Sequence, residues 1–141
     1  MIKKTEFTLS ISLFLLFFVN QVYSQKITKD LPLSKIIDET SGLEIVDDLF
    51  ITHNDSGGEA SVYYLSKKGQ IVEKRKLKST SNKDWEDITK DDEYLYVSDS
   101  GNNYNNRKDL KIYKVPIDKN SNEKNQTIYF KYPEQDSFKI N

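Results

Sequence analysis

The densest set of chemically capable side chains in the sequence is a group of carboxylates around its single tryptophan. Asp84, Glu86 and Asp87 flank Trp85, and Asp99 follows at the end of the next predicted strand. Carboxylate oxygens are the hard ligands that Ca²⁺ prefers, whereas zinc and copper favour the Cys and His ligands that this chain almost lacks. These four acidic residues therefore predict a calcium site. The alternative is that they only cap turns and bind backbone amides.

Two loops rich in Asn, Asp and Gly form a second candidate site. Each follows the second strand of a predicted repeat unit, so both are expected on the same rim of the fold. The residues assigned to ligand binding are His53, Asn54, Asp55, Asn102, Asn103 and Tyr104. Their polar atoms suit a small molecule, a glycan or a protein ligand, although turn formation alone also accounts for such residues. For His53 the alternative is a neutral side chain hydrogen-bonded to a neighbouring turn.

The composition excludes several classes of function. The 141 residues carry 21 Lys and Arg against 22 Asp and Glu, and this balance argues against nucleic-acid binding, which needs a basic surface. The absence of cysteine excludes disulfide scaffolds and thiolate metal sites, and a single histidine excludes sites that need two imidazoles. The chain contains no nucleophile elbow, phosphate-binding loop or dinucleotide fingerprint, so the sequence leaves open whether the protein is an enzyme.

The first 24 residues have the features of a secretory signal peptide. Lys3 and Lys4 precede an apolar run over 9–19, and Val22-Tyr23-Ser24 offers a cleavage site before Gln25. This run is shorter than the roughly 20 residues that cross a bilayer, so no membrane span is expected after cleavage. The sequence thus predicts an exported protein that is secreted, periplasmic or held at the cell surface.

Residues 25–141 are predicted to be all-β, with eight short strands separated by polar turns. The predicted strands are Leu43–Val46, Leu49–His53, Ser61–Leu65, Ile71–Leu77, Trp85–Thr89, Tyr94–Asp99, Leu110–Val115 and Thr127–Tyr132. The charged stretch 71–78 predicts an outermost edge strand, whereas the apolar stretch 94–97 predicts a strand buried on both faces. Strand alternation predicts that Trp85 and Asp87 point one way and Glu86 the other.

The strands form an internal repeat. Shifting the chain on itself by 45 residues aligns Leu43 with Ile88 and Leu49–Ile51 with Tyr94–Tyr96, and the later strands align at a wider shift. The two units span about 36–80 and 81–133. Four-stranded antiparallel units of this period are typical of β-propeller blades, and a small two-sheet sandwich is the alternative. Propellers close with roughly four to eight blades. Residues 25–141 are therefore expected to be part of a larger ring, of about six blades, which is completed in cis or by self-association.

The motifs that carry a family resemblance are Glu39–Leu43, Thr52–Gly58, Asp84–Ile88, Tyr96–Asn103, Arg107 and Ile112–Val115. Through them the chain resembles an uncharacterised family of secreted bacterial β-propellers that is related to the phytase-like and SdiA-regulated propellers. The resemblance covers about residues 36–133. It implies an exported binding or scaffold module and, as the alternative, a Ca²⁺-dependent phosphoric-ester hydrolase of phytase-like type. The cofactor that it implies is Ca²⁺.

Overall fold

The computed structural model describes residues 29–132. The chain divides into two units, 1–30 and 31–141, and the second contains every element described below. The predicted signal peptide, 1–24, lies outside the described residues, as does the last residue of the second predicted repeat unit at 133.

Eight strands form two four-stranded antiparallel sheets, and each sheet is a simple meander. Sheet 1 contains β1 (Thr40–Val46), β2 (Leu49–Asn54), β3 (Ser61–Leu65) and β4 (Ile71–Lys76), in that order. Sheet 2 contains β5 (Trp85–Lys90), β6 (Tyr94–Asp99), β7 (Lys111–Pro116) and β8 (Gln126–Tyr129), in the same order. The all-β prediction is confirmed for residues 29–132, and all eight predicted strands are present within three residues of their expected bounds. Between residues 29 and 132 there is no helix with the length and apolarity to cross a membrane.

The strand pairing confirms the internal repeat. Under a shift of 45 residues, paired residues of sheet 1 correspond to paired residues of sheet 2. The pair Thr40–Asn54 corresponds to Trp85–Asp99, Leu43–Thr52 to Ile88–Val97, and Ile45–Phe50 to Lys90–Leu95. Both first ladders also contain a register irregularity at the same place, directly after the first pair. The third strands correspond at the wider shift that the sequence predicted, because Tyr63 pairs with Thr52 as Tyr113 pairs with Val97.

One hydrophobic core joins the two sheets along a surface that we call the seam. Fully buried side chains of this core include Trp85, Ile51, Leu95, Val62 and Val97. The indole of Trp85 packs edge-on against the ring of His53, with 5.5 Å between ring centroids, and its Nε1 donates a hydrogen bond of 2.9 Å to the Ser81 carbonyl. Because both sheets contribute to this core, each depends on the other for burial of its apolar face.

The first strands of the two sheets lie side by side and run in the same direction. Ser41 Oγ donates a hydrogen bond of 2.6 Å to the carbonyl of Trp85, and Thr89 Oγ1 donates one of 3.5 Å to Glu44. Between them Gly42 lies so close to β5 that a Cβ atom would stand 2.7 Å from the amide nitrogen of Ile88. Glycine is required at this position by the close approach of the two strands.

The segment 31–39 covers part of the far face of sheet 1, the face turned away from the seam. Ile37 is buried against Tyr63 and Leu65. Asn54 ties the segment to β2, because its Oδ1 accepts a hydrogen bond of 3.1 Å from the Asp38 amide and its Nδ2 donates one of 3.0 Å to the Ile36 carbonyl. As a result β3 is buried on both faces.

Two predictions about strand environment have different outcomes. The charged strand β4 is an outermost strand of its sheet, as predicted, and Lys74 and Lys76 both pair with Glu59. In contrast, burial alternates along β6, so the prediction that this strand is buried on both faces is wrong for the described residues. The seam covers Leu95 and Val97, whereas the opposite face carries half-buried tyrosines whose hydroxyls bind Asp91 and Glu123.

Candidate functional site

Three carboxylates from both sheets converge at one end of the seam. Asp55 belongs to the loop after β2, Asp84 immediately precedes β5, and Glu86 lies within β5. One ligand oxygen from each can be chosen so that all three lie within 4.8 Å of one another. The backbone amide of Trp85 donates a hydrogen bond of 2.8 Å to the Asp55 carbonyl, which fixes the loop of sheet 1 against the start of β5. We call Asp55, Asp84 and Glu86 the carboxylate cluster.

Gly101 forms the floor of the carboxylate cluster. A Cβ atom at this buried position would overlap the carboxyl group of Asp84 and would also press on Glu86. The Gly101 amide donates a hydrogen bond of 3.1 Å to the Asp84 carbonyl, so the loop after β6 is held against the residue that precedes β5. The two carboxylates therefore occupy the space that any other side chain at 101 would fill.

The cluster concentrates negative charge in a partly buried place. Burial raises the pKa of Asp55, and the neighbouring carboxyls of Asp84 and Glu39 raise it further. The pKa of Glu86 is also raised, first by burial and then by Asp55 and Asp84. The Oδ1 atom of Asp55 is buried without a hydrogen-bond partner. Such a group is stabilised by a proton or by a bound cation.

A bulge in β5 directs Glu86 into the cluster. Trp85 pairs with Asp99 and Asp87 pairs with Ser98, so Glu86 is an additional residue without a partner on β6. Trp85 is fully buried whereas Asp87 is exposed, and the predicted alternation of these two residues is therefore wrong. The Asp87 carboxylate is instead used locally, since its Oδ1 accepts a hydrogen bond of 2.8 Å from the Ile88 amide.

Asp99 lies behind the cluster in a buried ion pair. Its Oδ1 accepts hydrogen bonds of 2.9 Å from Arg107 and 3.2 Å from the Asp84 amide. Arg107 also donates to the Gly101 carbonyl at 2.8 Å, and Lys111 Nζ stands 3.6 Å from the second oxygen of Asp99. Asp99 thus positions the backbone of the cluster, and its carboxylate is not among the three that converge.

His53 is fully buried within the seam rather than facing the rim. Its Nδ1 donates a hydrogen bond of 3.2 Å to the Asn54 carbonyl, and its Nε2 makes no hydrogen bond of normal geometry. Burial lowers the pKa of the ring, and the carbonyls of Asn54 and Asp87 oppose this effect only in part. The arrangement is that of a neutral packing residue.

Of the residues predicted to bind a ligand, only Asp55 joins the carboxylate cluster. Asn54 is occupied by the segment 31–39, and Asn102 Oδ1 accepts a hydrogen bond of 2.9 Å from the Arg107 amide within its own loop. Asn103 and Tyr104 are exposed, with Tyr104 83% accessible. The structure therefore combines one residue of the predicted ligand site with two of the predicted metal site, Asp84 and Glu86.

Comparison with known proteins gives no relative. No protein-family model matches the chain, and no curated protein and no solved structure is significantly similar to it. The candidate function therefore depends on the geometry of the two sheets and their carboxylates.

Proposed function

We propose that the chain is an exported β-propeller binding module whose two sheets are consecutive blades and whose carboxylate cluster binds Ca²⁺. The first strands of successive blades in a propeller are equivalent, lie side by side and share one direction. The 45-residue correspondence of the ladders and the contacts between β1 and β5 support this arrangement over a sandwich. The export proposal rests on the signal-like residues 1–24.

The observation that carries the calcium proposal is the convergence of Asp55, Asp84 and Glu86 on Gly101. Ca²⁺ takes six to eight oxygen ligands, and three carboxylates supply between three and six of them. The buried, unpartnered Oδ1 of Asp55 fits such a ligand set. A bound cation would offset the burial and the repulsion between carboxyls that raise the pKa of Asp55 and Glu86. Remaining coordination positions are then open to water or to an oxygen-rich ligand.

Calcium titration by calorimetry tests this proposal on the chain without residues 1–24. We expect saturable binding of one Ca²⁺ per chain for the wild-type protein and loss of that binding in Asp84→Asn. The matched control is Asp48→Asn, which removes the same charge at an exposed turn where the carboxylate pairs with Lys67. Absence of saturable binding, or equal binding by all three proteins, would contradict the proposal.

The hydrolase hypothesis stays a prediction and is tested on the same proteins. Hydrolysis of p-nitrophenyl phosphate that requires Ca²⁺ and stops in EDTA would favour the phytase-like alternative. Calcium binding without hydrolysis would favour the binding module. The two results are distinct, because the first requires turnover and the second requires only saturable binding.

A further inference from the structure

A second concave surface lies at the end of the seam opposite to the carboxylate cluster. The cluster lies where β2 and β6 end, whereas this groove lies where they begin. The turn between β1 and β2, the turn between β5 and β6, and the loop after β7 surround a volume of about 660 Å³. This volume is within the roughly 300–1,000 Å³ of small-molecule sites.

Apolar residues from both sheets form the floor of the groove. Val46 and Tyr64 belong to the core of the seam, and Leu49 and Ile117 pack against that core. Pro116 at the end of β7 completes the floor. The groove is therefore the place where the apolar seam opens to solvent.

The rim of the groove is strongly acidic. The carboxylates that line it belong to Asp47, Glu73, Asp92, Glu93, Asp118 and Glu123. Lys119 is the single cation among its lining residues, and it pairs with Glu73 at 3.0 Å. Asp47 and Asp92 are equivalent in the repeat, and within residues 29–132 their carboxylates make no hydrogen bond or ion pair. Each sheet thus presents an uncompensated carboxylate at the same place.

The spacing of these carboxylates argues against a metal ion in the groove. Among the described residues, the group whose ligand atoms come together closely enough for one ion is the carboxylate cluster at the other end. The groove carboxylates instead belong to four separate segments around an apolar floor. A point charge cannot satisfy several dispersed carboxylates, whereas an extended cation can reach them with different ammonium groups while its methylenes cover the floor.

We propose that this groove binds an organic polycation, with ammonium groups at the rim carboxylates and an aliphatic stem on the apolar floor. The proposal is independent of the calcium site, because the two use different residues at opposite ends of the seam. Exposed ion pairs are individually weak, so several of them together with burial of the stem are needed for binding.

Spermidine binding by calorimetry at low ionic strength tests the charge requirement. We expect the double variant Asp47→Asn/Asp92→Asn to weaken binding about tenfold, which follows from removing two rim charges. Asparagine suits the positive φ of 48° at Asp47, so the variant is expected to fold. Asp48→Asn is the control, because Asp48 neighbours the groove without lining it, and less than a twofold change is expected.

A pair of diamines tests the role of the floor without changing the protein. 1,8-Diaminooctane and 1,4-diaminobutane carry the same charge at neutral pH, and the longer stem is expected to bind about tenfold more tightly if it covers the floor. Three results would overturn the proposal. They are no binding of spermidine by the wild-type chain, equal binding by the double variant, and displacement of spermidine by CaCl₂ beyond that by NaCl at matched ionic strength.

Discussion

Gly101 illustrates how single residues shape the candidate site. Replacing it by alanine would drive a Cβ atom into the Asp84 carboxyl, so that carboxyl and the one of Glu86 must move. We expect Gly101→Ala to lower the free energy of unfolding by about 1–3 kcal/mol, as overpacking does. Gly58→Ala is the matched control, since a Cβ there meets no atom within 4 Å. Urea denaturation measures both, and equal stability of the two variants would contradict the described approach of Asp84 to Gly101.

Among the charged residues of this region, Arg107 is the one whose replacement is expected to lower the free energy of unfolding most. Its guanidinium compensates Asp99, which is fully buried, and also holds the Gly101 carbonyl. Arg107→Met leaves the Asp99 charge buried without its main partner, and removal of one member of a buried pair costs about 3–5 kcal/mol. Lys124→Met at an exposed position is the control. A loss below 1 kcal/mol for Arg107→Met in denaturant titrations would show that the pair does not support the fold.

At the scale of elements, the seam contains a titratable group that destabilises it in acid. Burial lowers the pKa of His53 below its ordinary value of 6.5, and Asp55 and Asp87 are the charged groups that act on it. The unfolded chain therefore binds a proton near pH 6.5 before the folded chain does. The stability that neutral His53 contributes is present above this pH and is lost as pH falls through the folded pKa.

The pH dependence of unfolding tests this role of His53. Urea denaturation of the wild-type chain and of His53→Gln between pH 8 and pH 5 isolates the contribution of the ring. We expect the difference in free energy of unfolding between wild type and variant to shrink steadily as the pH falls below 6.5. If the difference in free energy of unfolding is constant over this range, the pKa of the ring is the same in the folded and the unfolded chain.

Sequence patterns predicted the elements well because strand, turn and repeat are local or periodic signals. The eight strands, the 45-residue correspondence and the wider shift at β3 and β7 all follow from runs of β-branched and aromatic residues between polar turns. The bulge at Glu86 was not predictable, because it depends on the pairing of β5 with β6. For that reason the prediction that Trp85 and Asp87 point the same way was wrong.

The composition of the carboxylate cluster required contacts between sheets. Asp84 and Glu86 were predicted as metal ligands from their positions in the chain, but Asp55 joins them only because the Trp85 amide binds its carbonyl across the seam. Gly101 was part of a recognised loop motif, and the sequence contained no signal that a carboxyl group occupies the space beside it. The role of Asn54 could not be predicted for a similar reason, since its side chain is hydrogen-bonded to the segment 31–39, which is distant in the sequence.

At the scale of the whole molecule, the faces of the two sheets that point away from the seam differ in their ability to pack against another sheet. Leu43 is 62% exposed, whereas its equivalent Ile88 is 3% exposed in the seam, so sheet 1 presents an apolar position that another sheet could cover. On sheet 2 the equivalent of Gly42 is Asp87, and a side chain at this position prevents the close approach seen between β1 and β5. Identical copies therefore cannot repeat the seam head to tail.

This difference predicts that the chain without residues 1–24 does not close a ring by self-association. Sedimentation velocity over a range of concentrations is expected to show a monomer. A discrete oligomer of three or more copies would contradict the prediction. The oligomeric state of Asp87→Gly should be compared with that of the wild type, because this variant carries the glycine found at the equivalent position of sheet 1.

As a proposed cation site, the carboxylate cluster is expected to destabilise the chain when it is empty. The raised pKa values of Asp55 and Glu86 mean that their contribution to stability is greatest at acid pH and is lost as pH rises through the folded pKa. Glu86→Gln removes one of the repelling charges and also one cation ligand. Its effect on stability should therefore change sign between calcium-free and calcium-containing solutions.

The most direct measurement is urea denaturation of wild type and Glu86→Gln at pH 7, once in EDTA and once in excess CaCl₂. We predict that the variant is the more stable protein in EDTA and the wild type is the more stable in calcium. The gain of the wild type should reach about 2.7 kcal/mol when Ca²⁺ is at 100 times its dissociation constant. The proposed cation site is contradicted if calcium leaves the stability of the wild type unchanged or if the order of the two stabilities is the same in both solutions.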